Sequence, residues 1–395
     1  MVHIAVLIMV KNEKKRLHVT LESIKNFANS LVIFDTGSTD NTIEICKKFS
    51  QKNKIPLRLK QGEFINFEVS RNESIDFAET FKDIDYILLL DTNDELRNGE
   101  MLRKILEENK IHTAFMLCQE WWSGVIDKYY NVRVIKSREK WRYVGSVHEF
   151  IKCFNEKVDG KNNIARIDDK IVLYQDRTQD DDKSQKRFIR DEVLLLEEYK
   201  KDKNNPRTIF YLAQTCLCLN KYEDAFYYYK LRTELEGFNE EKYYSFYKCG
   251  IISFALKHSW YESMAWFLKA YDCIKRAEPL VGITEYYYKN KQWDMAYTFI
   301  NLACKLEYPN DCILFVDRLV YDYKRWNLMG IISFYNGNYK EGKDALYKAI
   351  EGGKKNNLDV TLDKNNLRFY YEKDKEIKEN ENKQQIINII KSKNN

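Results

Sequence analysis

Residues 86–95 read YILLLDTNDE, in which five apolar residues are followed directly by three carboxylates and an amide. A short, continuous apolar run is typical of a strand that is covered on both faces in a parallel sheet. Like charges gathered after such a strand repel one another unless a cation lies among them, although a solvated polar turn is the alternative interpretation. The stretch therefore predicts a buried strand at 86–90 and a site for a divalent cation and phosphate oxygens at its carboxyl end.

The first hundred residues alternate between strand-like and helix-like segments. Strands are predicted at 3–10, 30–35 and 57–61, and helices at 13–29, 39–53 and 68–81. Such alternation indicates an α/β domain with a doubly wound, Rossmann-like, mostly parallel sheet, which binds ligands beyond the carboxyl ends of its strands. Asp35 and Asp91 each come where a predicted strand ends, so we expect both at that edge. Alternating segments between 110 and 175, such as 130–135, predict the strands that complete the domain.

Residues 35–40 read DTGSTD and combine features of a nucleotide site. Gly37 permits a tight turn close to a ligand. Asp35 can accept hydrogen bonds from a ribose or from a base N–H. Ser38 or Thr39 is predicted to open the next helix as its cap, and the N-terminus of a helix favours negative charge. A capped loop without a ligand is the alternative.

Two further clusters could carry chemistry. Arg71, in the first turn of a predicted helix, could point toward a diphosphate, or it could be an ordinary surface residue. His148 stands next to Glu149, and the pair could supply a metal ligand and a general base. Neighbours on a regular strand point to opposite faces, so both side chains reach one site only if the chain bends. Gly145 permits such a bend.

A second region begins near residue 205, where the pattern becomes entirely helical and a short motif recurs. Its aromatic residue recurs as Tyr222, Tyr261, Trp293 and Tyr339, at spacings of 39, 32 and 46 residues. These values scatter around the period of about 34 residues that is typical of tetratricopeptide repeats. The sequence therefore predicts stacked helix–turn–helix units whose aromatic residues pack between helices and whose curved surface suits an extended partner.

Composition excludes several classes of protein. The formal net charge is only +5, from 65 basic and 60 acidic residues, whereas a nucleic-acid-binding protein presents a strongly basic face. Nine scattered cysteines contain no C-x-x-C pair, which indicates small buried side chains in a reducing compartment. No apolar stretch reaches the ~18 residues of a membrane-spanning helix. We therefore expect a cytoplasmic protein without a membrane span.

Taken in order, these motifs resemble glycosyltransferase family 2 and its GT-A fold, over roughly residues 3–350. The matching elements are LIMVKNE at 7–13 as first strand and turn, DTGSTD at 35–40 as nucleotide motif, 67–72 as an F-x(n)-R-N element, 91–95 at the place of the D-x-D metal motif, and 145–149 as a G-x-(V/I)-H-E signature. The branch with that signature continues into a basic helix, similar to 186–191, and then into tetratricopeptide repeats. Sublancin-type S-glycosyltransferases have this layout.

The resemblance implies an activated sugar, usually linked to UDP, a divalent metal such as Mn²⁺ or Mg²⁺, and inverting transfer by direct displacement. In this hypothesis Asp35 holds the nucleoside and Arg71 the diphosphate. Asp91, Asn93 and His148 bind the metal, directly or through water, and Asp91 also belongs to the nucleotide-sugar site. The second acidic residue of the D-x-D motif is replaced by Asn93, which brings an oxygen ligand without charge, so metal affinity should be lower; Asp94 could substitute as a ligand.

The acceptor nucleophile needs a general base, for which Glu149 is the first candidate. Glu120 and the carboxylates at 180–182 are alternatives, because loop carboxylates can fold over such a site. The acceptor is expected to be a peptide, a protein or a glycan, presented by the helical repeats. Those repeats could also form a homodimer interface or bind another protein.

The predicted organisation has four parts: a GT-A domain at 1–184, a linking helix at 185–204, tetratricopeptide-like repeats at 205–371, and a charged tail at 372–395 that is expected to be disordered or to form a frayed helix. One alternative function is a non-catalytic scaffold, in which a decayed transferase domain carries protein-binding repeats. Another is a sugar nucleotidyltransferase, which is disfavoured because residues 10–13, VKNE, contain no glycine for a phosphate loop.

Overall fold

The computed structural model describes residues 1–122, 126–155, 163–176 and 183–393. The chain divides into two compact units, Met1–Asp202 and Lys203–Asn395. The first is an α/β unit and the second consists of helices, so the predicted fold class is confirmed. The predicted linking helix corresponds to a helix at Lys183–Lys201, which belongs to the first unit. Within the described part of the chain, the helices are too short or too polar to cross a bilayer.

The first unit alternates strands and helices along its first ninety residues and is richer in strands thereafter. Its strands are β1 (Ile4–Val10), β2 (Ser30–Asp35), β3 (Leu57–Gln61), β4 (Tyr86–Leu90), β5 (Glu95–Arg97), β6 (Ala114–Trp122), β7 (Ile126–Lys136), β8 (Trp141–Val144), β9 (Phe150–Cys153), β10 (Ile164–Arg166) and β11 (Val172–Asp176). Its helices are α1 (Leu17–Ile24), α2 (Thr42–Asn53), α3 (Phe67–Glu79), α4 (Leu102–Glu108) and α5 (Lys183–Lys201).

The main sheet is mixed, and its parallel part consists of the four strands predicted within the first ninety residues. Its strand order is β3-β2-β1-β4-β7-β6-β11-β5, and β10 also pairs with β6. The first four of these strands are parallel, while β7 runs antiparallel to both β4 and β6. Strands β8 and β9 form a separate hairpin. Helices α1, α2 and α4 cover one face of the sheet, and α3 with the hairpin covers the other, which explains why β2 and β4 are buried along their whole length.

Strand register places the two predicted aspartates at one edge. Asp35 pairs with Val10, and Leu90 pairs with Ile8, so Asp91 follows β4 at nearly the same level. Strand β1 lies between them, and adjacent strands are ~4.8 Å apart, so the two backbones are separated by about 10 Å. The parallel sheet therefore brings both aspartates to its carboxyl edge, as predicted.

Helix α2 begins three residues later than the sequence predicts, and Ser38 and Thr39 do not cap it. Its first residue is Thr42, whose backbone N–H donates to Asp40 Oδ1 at 2.9 Å. Thr39 N donates instead to Asn12 Oδ1 at 2.7 Å, and Asn12 N donates to Ser38 Oγ at 3.0 Å. The loop after β1 competes for these polar groups and holds 38–40 outside the helix.

The second unit consists of helices that pack in consecutive pairs. They are α6 (Pro206–Cys218), α7 (Tyr222–Thr233), α8 (Asn239–Ala255), α9 (Trp260–Cys273), α10 (Ala277–Lys289), α11 (Trp293–Cys304), α12 (Arg325–Asn336), α13 (Tyr339–Lys355) and α14 (Thr361–Lys393). A π-helical turn at Val320–Lys324 leads directly into α12. The helices of the pairs α6–α7, α8–α9, α10–α11 and α12–α13 follow one another along the chain and pack together.

The recurring motif of the sequence marks the start of the second helix in each pair. Just before it, the chain turns at a residue with left-handed φ, between +54° and +83°: Asn220, Lys257, Lys291 or Gly337. The widest spacing of the motif, 46 residues, arises because the connection at 305–319 separates α11 from the π-helical turn. The helix pairs are thus observed as predicted, and their assignment as tetratricopeptide repeats stays a prediction.

The charged tail is helical in the structure, which is the second of the two states expected from its sequence. Residues 361–393 form one helix, α14, which includes most of the predicted tail at 372–395. This stretch contains neither proline nor glycine, and oppositely charged residues one turn apart pair on it, as in Lys373 with Glu376 at 2.8 Å. Such pairs stabilise a helix by about 0.2–0.5 kcal/mol each. Few apolar contacts accompany them, which is why composition alone favours disorder.

Candidate active site

A cavity of about 500 Å³ opens at the carboxyl edge of the sheet in the first unit. Its walls come from the ends of β1 and β11, from the segments that follow β1, β2 and β4, and from helices α3 and α5. Lining residues that could act on a ligand are Lys11, Glu13, Arg16, Arg71, Asp91, Asn93, Asp176, Arg187 and Arg190. This size lies within the ~300–1,000 Å³ range of small-molecule sites.

Asp91 is held between two arginines at the floor of this cavity. Arg71 Nη2 donates to Asp91 Oδ1 at 2.7 Å, and Arg133 Nη1 donates to Asp91 Oδ2 at 3.3 Å. Burial by itself would raise the pKa of Asp91, but the two guanidinium groups outweigh burial and lower that pKa below its ordinary value. The carboxylate is therefore ionised, and both of its oxygens face arginine.

Arg133 reaches Asp91 because strand β7 carries a bulge. Val134 pairs with Phe115 and Val132 with Met116, so Arg133 is the extra residue between two pairs. A bulge redirects a side chain and is common next to functional sites. Arg133 is 9% exposed and is embedded in a strand of otherwise mostly apolar residues. In the sequence, Arg133 is the single charged residue in the stretch NVRVI at 131–135. A lone charge in an apolar strand is the signal that could have predicted its role in the site.

Asp94 closes the turn after β4 and is not among the residues that line the cavity. The prediction that it could substitute for Asn93 as a metal ligand is therefore not supported by its position. Asp94 is fully buried, accepts a hydrogen bond from Asp91 N at 2.7 Å and accepts another from Gln175 Nε2. Burial raises the pKa of Asp94, Arg133 at 4.0 Å opposes that rise, and the charge on Asp91 adds to it. Gln175, which sequence reasoning missed, joins β11 to this turn.

The segment 145–149 bends, as its glycine suggested. Gly145 has φ +106° and His148 has φ +53°. Helices on either side hold the segment, since Gly145 N donates to Glu68 Oε2 at 2.8 Å and Ser146 N donates to Glu198 Oε2 at 3.0 Å. The bend separates the roles of the predicted pair, because Glu149 turns toward α3 while His148 is exposed and lies outside the lining of the cavity.

Glu149 forms an ion pair with Arg71. Its Oε1 lies 2.6 Å from Arg71 Nε, although the N–H does not point at that oxygen, so the contact is ionic in character. Arg71 thus bridges Glu149 and Asp91, and its guanidinium also lies 5.3 Å from the ring centroid of Tyr143. The predicted base and the predicted diphosphate ligand are therefore neighbours, and Glu149 is not among the residues that line the cavity.

Asp35 lies at the predicted edge but is fully buried. Its Oδ1 accepts from Ser38 N at 3.0 Å, and its Oδ2 accepts from Gln61 Nε2 at 3.1 Å. Thr36, the next residue, lines the cavity in its place. A nucleoside contact by Asp35 would require one of these two hydrogen bonds to be exchanged.

The predicted metal ligands do not fit a metal site in this arrangement. Within residues 1–122, 126–155, 163–176 and 183–393, no three His, Cys, Asp or Glu side chains are grouped to hold a metal ion. A cation at Asp91 would share the carboxylate with two arginines, whose positive charges oppose it, and Asn93 Oδ1 accepts a hydrogen bond from Gln175 Nε2 at 3.2 Å. The alternative base Glu120 forms an ion pair with Lys128, and the alternatives at 180–182 lie outside the described residues.

The N-terminal region is similar to known glycosyltransferases. Residues 5–124 match the family described as Glycosyl transferase family 2. The SPbeta prophage-derived glycosyltransferase SunS of Bacillus subtilis (strain 168) is 24% identical over 241 residues, which is 60% of this chain and 55% of that protein. The glycosyltransferase SunS of Bacillus phage SPbeta matches equally. The alignment thus spans about half the length of these relatives.

Solved structures give weaker similarities. S. aureus TarS 1–349 in complex with UDP-GlcNAc matches at a TM-score of 0.35 and 13% identity, over 90% of this chain and 92% of that one. A crystal structure of MamA matches at a TM-score of 0.35 and 16% identity, over 44% of this chain and 92% of that one. At these TM-scores, neither similarity supports an inference about function.

Proposed function

Because the N-terminal region carries a glycosyltransferase family 2 domain, we propose that this protein transfers a sugar from a nucleotide-sugar donor to an acceptor. The observation that carries the proposal is the cavity at the carboxyl edge of that domain, which cationic side chains from several elements line. Parallel α/β sheets bind their ligands at this edge. A UDP-linked sugar is our first choice of donor, from the resemblance of the sequence motifs.

The proposed reaction is a single displacement with inversion. The acceptor nucleophile bonds to the anomeric carbon, the bond from that carbon to the diphosphate oxygen breaks, and the proton of the nucleophile passes to a carboxylate. Negative charge then builds on the departing diphosphate, and fixed cations placed around it lower the barrier. Lys11, Arg16 and Arg71 line the cavity where such charge would be stabilised.

Glu149 remains our first candidate for the base, as predicted from the sequence. Its contact with Arg71 supports a place near the donor. Asp176 is the competing candidate, because its side chain lines the cavity at the end of β11. Substituting each carboxylate by its amide distinguishes the two, because only loss of the base lowers turnover while donor binding is retained.

Dependence on Mn²⁺ or Mg²⁺ stays a prediction from the resemblance. The place of Asp91 and Asn93 in the lining of the cavity supports metal dependence. The ion pairs of Asp91 with two arginines argue against metal dependence. We assign no step of the reaction to a metal. The proposed role of His148 as a metal ligand rests on the sequence motifs alone, whereas Asp91, which is also proposed as a donor ligand, lines the cavity.

For the acceptor, we propose a peptide, protein or glycan that the helical unit presents. Helix pairs in series offer an extended surface, which supports this assignment and equally allows a homodimer or a protein partner. If the helical unit presents the acceptor, removing 205–395 should reduce transfer far more than donor hydrolysis. An equal loss of both activities in a folded fragment would contradict that role.

A panel of nucleotide sugars, incubated with the full chain and Mn²⁺ or Mg²⁺, tests the proposed function, because transferases slowly hydrolyse their own donors. We expect release of one sugar and one nucleoside diphosphate. The second candidate, a non-catalytic scaffold, is favoured by the replacement of an acidic metal ligand by Asn93. It predicts neither hydrolysis nor nucleotide binding, which calorimetry with UDP would reveal.

A further inference from the structure

The geometry points to Arg187 and Arg190 of helix α5 as the pair that binds the diphosphate of the donor. This inference rests on the proposed function and deepens it. Both residues lie outside the stretch that matches glycosyltransferase family 2, which ends at residue 124. They line the cavity nonetheless, because α5 belongs to the same compact unit as the sheet.

The two arginines present their charges from one face of α5. They are three residues apart, and residues at that spacing are neighbours on a helix surface. Lys11 and Arg16, which follow β1, line the same cavity. Cations from two separate elements thus border the space, an arrangement that suits a ligand carrying more than one negative charge.

Aromatic rings and a carboxylate fix the position of Arg190. Its guanidinium carbon lies 4.8 Å from the ring centroid of Phe67 and 5.9 Å from that of Phe64, and both rings line the cavity. Its Nε and Nη2 donate to one oxygen of Asp191, at 3.0 Å and 2.8 Å. Neither hydrogen bond uses Nη1, so the fork of the guanidinium retains donors for a phosphate oxygen.

Arg71, the diphosphate ligand predicted from sequence, is already matched by carboxylates. It contacts Asp91 at 2.7 Å and Glu149 at 2.6 Å, which neutralise its charge. Asp91 is in turn shared with Arg133. The positive charge that a diphosphate requires must therefore come from the lining as a whole, in which five lysine and arginine side chains accompany three carboxylates, and α5 contributes two of those five.

Helix α5 is also attached to the segment that carries the candidate base. Glu198 of α5 accepts from Ser146 N at 3.0 Å, three residues before Glu149. A ligand held by Arg187 and Arg190 would thus be bound by the same helix that fixes this segment. Arginine donates two hydrogen bonds in a plane to a phosphate, which adds orientation to charge and positions the leaving group.

The test measures affinities of the full chain for UDP, UMP and inorganic pyrophosphate by calorimetry. Variants Arg187→Gln, Arg190→Gln and the double variant are compared with Lys186→Gln, a matched control whose exposed side chain lies on α5 but outside the lining of the cavity. Each lost charged hydrogen bond corresponds to about a tenfold loss of affinity. We expect UDP and pyrophosphate to bind about 10–100-fold more weakly to the double variant, with UMP much less affected and Lys186→Gln unchanged.

Three results would overturn the inference. In the first, the double variant binds UDP as tightly as the native chain. In the second, the affinities for UDP and UMP fall by the same factor, which indicates a structural effect. In the third, Lys186→Gln loses as much affinity as the arginine variants. Thermal unfolding of each variant identifies loss of folding, and the single variants then replace the double one. If the native chain binds neither UDP nor pyrophosphate, the proposed function itself fails, and that outcome is distinct from the other three.

Discussion

Arg133 Nη1 lies 3.3 Å from Asp91 Oδ2, and Arg71 donates to the other oxygen of the same carboxylate. The residue that begins the acidic turn after β4 is thereby fixed by two cations from different elements. One arginine comes from helix α3 and the other from the bulge of strand β7. The candidate site thus contains a partly buried network of charges centred on Asp91.

Removing Arg133 should destabilise the protein. Breaking a buried ion pair from one side costs about 3–5 kcal/mol, and Arg71 still compensates part of the charge of Asp91. We therefore expect Arg133→Ala to lower the free energy of unfolding by roughly 2–4 kcal/mol, as measured by urea denaturation.

Arg97→Ala is the control for this measurement. Arg97 pairs with Glu95 at 3.2 Å, but both side chains are exposed to more than a third. Exposed pairs contribute only about 0–1 kcal/mol. Equal losses for Arg133→Ala and Arg97→Ala would contradict a stabilising role for the network around Asp91.

Asp94 should make stability depend on pH in a recognisable way. Burial raises the pKa of Asp94 to about 6 in the folded state, above its ordinary value of 3.8. The native chain therefore takes up a proton there at a higher pH than the unfolded chain does, and this contribution to stability grows as pH falls from about 7 toward 4.

The variant Asp94→Asn has no titratable carboxyl at this position, so its stability provides the comparison. Unfolding free energies of the two proteins at pH 7 and pH 5 should show the native chain gaining about 1–2 kcal/mol relative to the variant. Contributions of the other carboxylates largely cancel in that difference. A constant difference, or a relative loss at pH 5, would contradict the raised pKa.

The base is identified by a split between binding and turnover. Glu149→Gln should lower turnover by about 10²–10⁴-fold and leave donor affinity within a few fold, because general-base assistance acts only in the transition state. Asp176→Asn is the matched variant in the cavity wall. If Asp176→Asn loses turnover while Glu149→Gln keeps it, the role passes to Asp176.

The affinity for UDP should depend only weakly on a divalent metal in the native chain, and more strongly in the variant Asn93→Asp. Asn93 offers a metal an oxygen without charge, and Asp91 is occupied by two arginines. We expect Mn²⁺ to raise the affinity for UDP by less than about tenfold, whereas Asn93→Asp, with one more carboxylate ligand, should show a larger effect. Calorimetry in EDTA and in Mn²⁺ measures both. A strong effect of Mn²⁺ on the native chain, unchanged by Asn93→Asp, would contradict this account.

Much of the fold is encoded in local patterns. The strands predicted at 30–35, 57–61 and 86–90 are observed with the same bounds, because a continuous apolar run fits a strand covered on both faces. The alternation of strands with helices then places Asp35 and Asp91 at one edge without further information. The recurring aromatic motif marks the second helix of each pair, since its period reflects a repeated packing unit.

Tertiary structure alone decided which partners these residues have. The antiparallel insertion of β7 between β4 and β6 brings Arg133 to Asp91 from 42 residues away along the chain, and β11 brings Gln175 to Asp94. Arg187 and Arg190 reach the cavity because α5 lies beside Phe67 and the segment at 145–149. Local sequence patterns indicate which side of an element is buried. The register between distant strands depends instead on the packing of the whole core. The ion pairs of the site could therefore not be predicted from local patterns.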